Sequence, residues 1–63
     1  MTYNVYYITS TLEQIMASTD DTDKAIQMAK REYDRLSKAE KAKDKIEIRY
    51  NEDEDGNYDI LLF

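Results

Sequence analysis

Carboxylates are the most abundant chemistry-bearing groups in this chain, with 14 Asp and Glu against 9 Lys and Arg, and no His or Cys. Without an imidazole or a thiol, a nucleophile would have to be a Ser or Thr activated by Lys or a carboxylate. Ser10, Ser18 and Ser37 stand in no nucleophile motif, and a single Gly cannot build a phosphate-cradling loop. Paired carboxylates act as general acid and base only in a concave pocket that splits their pKa values. A chain of 63 residues folds as one domain with a thin core and little room for such a pocket. The expectation is a protein that is not an enzyme, with no catalytic residue and no cofactor.

One carboxylate spacing resembles a cation loop. Asn51, Asp53, Asp55 and Gly56 match positions one, three, five and six of an EF-hand. Position twelve is Leu62 where a bidentate Glu is required, and strand-like segments flank the loop. The segment reads as a solvated hairpin tip, and no metal is expected. The lack of Cys and His also removes disulfides and the usual zinc sites as supports for a small fold, which leaves tight packing or self-association.

The formal charge of −5 works against direct nucleic-acid binding, which selects for basic surfaces that neutralise phosphates. It suits solubility, or a basic partner. The start, Met1-Thr2-Tyr3-Asn4-Val5-Tyr6-Tyr7, lacks the basic and long apolar stretches of an export signal or membrane span. No membrane association is expected, and the expected location is the cytoplasm.

Apolar periodicity divides the chain into five elements. Residues 3–9 are aromatic and β-branched and read as a strand. Residues 13–18 read as a weaker strand, with a helical turn over 11–17 as the competing reading. Asp20, Asp21 and Asp23 supply helix-start oxygens, and Ile26, Ala29, Tyr33 and Leu36 recur on one helical face, widened by Ala25 and Met28. Lysines crowd the far end, so one helix is expected over about 21–42. Residues 45–50 alternate, with Ile46, Ile48 and Tyr50 against Glu47 and Arg49, and residues 58–63 form a last strand after an Asp-Gly turn. The expected class is α+β: ββαββ, one helix on one face of a four-stranded sheet. Polarity places the first and fourth strands in the centre, which gives order 2-1-4-3 with a parallel central pair. That is the topology of small immunoglobulin-binding domains of bacterial surface proteins.

This topology makes two surfaces candidates for binding. The helix start and the turn after the third strand fall at the same end of the sheet. Asp20, Asp21 and Asp23 therefore join Glu52, Asp53, Glu54 and Asp55, half of all the acids, at one pole. Such a pole can imitate nucleic-acid phosphates and occupy an Arg/Lys-lined groove, whereas the local alternative is that turns and helix starts simply favour Asp. The sheet face away from the helix should carry Tyr6, Ile8, Leu61 and Phe63. It offers a dimer or partner interface, unless the sheet's own edges cover it.

The chain as a whole, with its length, acidity, tyrosine-rich first strand and the run Asn51-Glu52-Asp53-Glu54-Asp55-Gly56-Asn57-Tyr58, resembles the very small type II-A anti-CRISPR proteins of phages and prophages. The resemblance covers all 63 residues but contains no diagnostic motif, so no inhibitor residue carries over. It implies inhibition of a Cas9–guide RNA complex through its basic, PAM-reading surface, where arginines read guanine edges and carboxylates could compete. The alternative is a small phage-encoded structural or interaction module, homodimeric through the open sheet face.

Overall fold

The computed structural model describes every residue from Met1 to Phe63. It contains strands β1 (Tyr3–Ile8), β2 (Glu13–Thr19), β3 (Lys45–Tyr50) and β4 (Asp59–Leu61), with helices α1 (Thr22–Asp34) and α2 (Lys38–Lys43) between β2 and β3. The class is α+β, as its periodicity indicates, and residues 11–17 form no helical turn. The four strands make one sheet in the order β2-β1-β3-β4, with every neighbouring pair antiparallel.

Two expectations are overturned. β3, not β4, lies beside β1, and there is no parallel central pair. Polarity misled because it counted Glu47 and Arg49 as solvent-facing. Both are bonded to one another across the open face, and Arg49 is only 6% exposed. β4 is correspondingly short, ending at Leu61 where the apolar run extends to Phe63.

The single helix expected over 21–42 is two helices. Asp21 caps α1 by accepting from the Lys24 amide at 3.1 Å. At the break, Ser37 accepts from the Glu40 amide at 3.2 Å while the Glu40 carboxylate accepts from the Ser37 amide at 3.0 Å. This reciprocal capping box starts a new helix and fixes the turn before it. No residue of α2 is buried, so packing does not hold it. The Tyr7 hydroxyl instead donates to Asp44, the C-cap of α2, at 2.6 Å.

The core lies between α1 and the sheet. Val5, Ala25, Ala29, Ile46 and Ile48 are buried, and Tyr3, Tyr7, Ile26, Met28, Leu36 and Leu61 pack around them. Ala25 and Ala29 have no exposed surface, and their small side chains let the helix backbone sit close over Val5 and Ile48. On the other side of β1, the pairing with β2 shifts between Val5 and Tyr6: Val5 faces Ala17 but Tyr6 faces Ile15. Met16 is the extra residue of this bulge, and the shift keeps Ala17 on the helix face while Ile15 and Glu13 share the open face with Tyr6 and Ile8.

With a core this thin, Ala29 leaves no room for a larger side chain. Ala29→Leu should lower stability by about 1–3 kcal/mol through overpacking, read as a lower urea midpoint with an unchanged slope.

Candidate functional site

Arg49 organises the open face. Its guanidinium forks onto the Glu13 carboxylate through Nη1 at 2.9 Å and Nη2 at 3.2 Å, and its Nε donates to Glu47 at 3.0 Å. To reach β2 from β3 the side chain crosses β1, where it lies on the Tyr6 ring at 4.3 Å. Tyr58 covers it from the outside, with its ring centroid 4.2 Å from the guanidinium carbon. A desolvated cation is costly alone, but here two carboxylates and two aromatic faces compensate it.

Tyr58 belongs to the segment joining β3 to β4, and the clasp therefore pulls that segment over the open face. Glu52 accepts from Asn4 Nδ2 at 2.6 Å and from the Tyr6 hydroxyl at 2.7 Å, both on the open face. Asp53 turns inward and accepts from the backbone amides of Asp55 and Asn57 at 3.0 and 2.9 Å, and from Asn57 Nδ2 at 3.2 Å. Gly56 closes the turn at φ +83°, in the left-handed region that disfavours a side chain. Asn51 Nδ2 ties the loop base to Asp59 at 3.0 Å. The EF-hand-like carboxylates do not converge, because Asp53 spends its oxygens on its own loop.

The structure brings both acidic stretches to the same end of the sheet. Tyr3 pairs with Thr19 just before the helix start, and its ring packs 5.4 Å from Tyr50 just before the loop. The stretches then part: Asp21 leads into α1 on the core side, while Glu52 is bonded on the open side. Asp21, Glu52 and Asp53 hold local structure. The side chains of Asp20, Asp23, Glu54 and Asp55 make no hydrogen bond or ion pair within the chain and are exposed.

The second candidate surface is not as the sequence suggested. Leu61 pairs opposite Ile48 and packs on the core, and Phe63, beyond the end of β4, lines a groove with Tyr33 and Ile46. Tyr6 and Ile8 do face outward from the open face but are half-buried. Ile60, opposite Arg49, is the β4 residue on the open face. Sequence reading missed Arg49, Glu13 and Tyr58 as a unit, since Arg49 and Glu13 are 36 positions apart and no local pattern links them. The only available signal was two unmatched charges, Glu47 and Arg49, alternating with buried isoleucines.

No helix is long and apolar enough to cross a membrane. No protein-family model matches the chain, and no curated protein or solved structure is detectably similar to it.

Hydrogen bonding sets the pH response. The Arg49 fork lowers the Glu13 pKa, the Ser37 backbone bond lowers that of Glu40, and the Asn57 amide lowers that of Asp53. The bond to Asp44 raises the Tyr7 phenol from 10.0 to about 12, and the bond to Glu52 raises Tyr6. Depressed carboxyls stabilise the fold above their ordinary values of 3.8 to 4.5, and that stability is lost as pH falls through their lower folded values. Raised phenols stabilise fully below pH 10.0, and for Tyr7 the contribution is lost as pH climbs toward about 12. The urea midpoint should be flat through neutrality and fall on both sides, and Tyr7→Phe should blunt the alkaline fall.

Arg49→Lys keeps the charge but cannot fork onto Glu13 while bonding Glu47. It should cost about 1–3 kcal/mol and speed proteolysis within residues 51–58, measured by urea unfolding and timed digestion.

Proposed function

We propose that this chain is a non-catalytic binding module whose acidic end occupies a basic, nucleic-acid-reading groove on a protein partner. The observation that supports this reading is the set Asp20, Asp23, Glu54 and Asp55, four exposed acids whose side chains have no intrachain partner. They come from two separate stretches at the same end of the sheet, one on its helix side and one on its open side, and the loop carrying two of them is held by Asp53 and the Arg49 clasp. Carboxylates on a braced loop compete for arginines better than those on a mobile one, because less backbone entropy is lost on binding. Such an end steers toward a basic surface and takes the place of phosphates there.

The resemblance in length, acidity and tyrosine-rich first strand to small type II-A anti-CRISPR proteins makes Cas9 with its guide RNA the partner of this reading. The carboxylates would contact the arginine-bearing surface that reads the PAM duplex and block target DNA recognition. The host cell cytoplasm is the compartment where that encounter would take place.

The charge test must spare Glu52 and Asp53, because these two hold the loop in place. Reversing Glu54 and Asp55 to Lys and neutralising Asp20 and Asp23 to Asn should abolish capture of Cas9–guide RNA and restore DNA cleavage. The stability cost should be about 1 kcal/mol or less, because Asp23 lies in the first turn of α1 where a negative charge suits the helix dipole. Capture by the native chain should weaken steeply with added salt. Full inhibition by the substituted protein would overturn the reading.

A further inference from the structure

The two edges of the sheet are treated differently. β2 carries the Met16 bulge, and its Glu13 side chain is drawn onto Arg49, features that spoil an edge for pairing. β4 has regular pairing with β3 on one side and an unpaired backbone on the other. No Lys, Pro or bulge guards it; its shortness and the single charge of Asp59 are its protection, and apolar Leu62 and Phe63 extend it. Leu62 is 85% exposed, Ile60 45% and Phe63 44%. Beside them, Lys30, Tyr33, Ile46, Leu61 and Phe63 line a shallow groove of about 800 Å³ between α1 and this edge.

We propose that β4 pairs with β4 of a second copy of this chain, antiparallel about a two-fold axis at Leu61, to form a continuous eight-stranded sheet. The charge pattern selects this occupant. With Leu61 opposite its own copy, Ile60 meets Leu62 and Asp59 meets Phe63, each twice, so no acidic side chain of one β4 lies opposite an acidic side chain of the other. Antiparallel pairing also carries the two loops over residues 51–58 to opposite ends, which separates the acidic stretches of two chains that each bear a net charge of −5. The area is suitable as well. Ile60, Leu62, Phe63 and Tyr33 leave exposed on the order of 400 Å² of mainly apolar surface, the size at which such patches mark interaction sites. Strand backbone and the long side chains of the groove add to this, toward the roughly 800 Å² per partner of a standard interface.

This pairing uses a surface apart from Asp20, Asp23, Glu54 and Asp55 and does not rest on the Cas9 reading. Sedimentation of the native chain from micromolar to millimolar concentration tests it, with Leu62→Lys and Ile15→Lys as variants. The native chain should form a reversible dimer whose β4 amides exchange more slowly as concentration rises. Leu62→Lys should weaken the dimer at least about tenfold at an unchanged urea midpoint, while Ile15→Lys on the β2 edge should leave it intact. A chain that stays monomeric at millimolar concentration would overturn the proposal. A dimer that survives Leu62→Lys or dissolves with Ile15→Lys would overturn it equally.

Discussion

A guanidinium taken out of water must be compensated on every side, and the arrangement around Arg49 meets that requirement. Its three nitrogens reach Glu13 and Glu47, and its two flat faces meet Tyr6 and Tyr58. Four residues from β1, β2, β3 and the loop before β4 are tied together by one side chain. In a domain with five buried apolar residues, a second layer of organised contact on the far side of the sheet matters. The hydrophobic core fixes how α1 lies on the sheet; the cation fixes what lies on the other face.

The acidic loop follows from the same constraint. Tyr58 cannot cover the guanidinium unless residues 51–57 turn back over the open face, and that turn brings Glu52 to Asn4 and Tyr6. Asp53 then satisfies the amides exposed by the tight reversal. Glu54 and Asp55 are left at the outer rim of a braced loop. The acids thus fall into two groups: those that build the loop and helix start, and those that the build presents to solvent. Only the second group has side chains with no hydrogen bond or ion pair inside the chain.

Much of this was legible in the chain. β3 over residues 45–50, the acidic turn after it and the helical face of Ala25, Ile26, Met28 and Ala29 all follow from local periodicity and turn chemistry. The capping box at Ser37 and Glu40 was equally present as Ser-x-x-Glu, but the continuous apolar spacing from Ile26 to Leu36 concealed it. Strand order was not legible. Polarity is a guide to edges only when charges face water, whereas on β3 Glu47 is bonded to its neighbour Arg49 and Arg49 reaches Glu13 far along the chain. The same long-range bonding hid the distinction between structural and free carboxylates, since Glu52 and Glu54 look alike in sequence and differ only in what folds against them.

The Arg49 clasp is tested most directly by nuclear magnetic resonance of its side chain. If the clasp closes the open face, the Arg49 Nε–H signal should be sharp, slow to exchange and in cross-relaxation contact with the ring protons of both Tyr6 and Tyr58, whose ring currents shift the Arg49 methylenes upfield. An Arg49 side chain with averaged, fast-exchanging signals and no contact to Tyr58 would contradict the account.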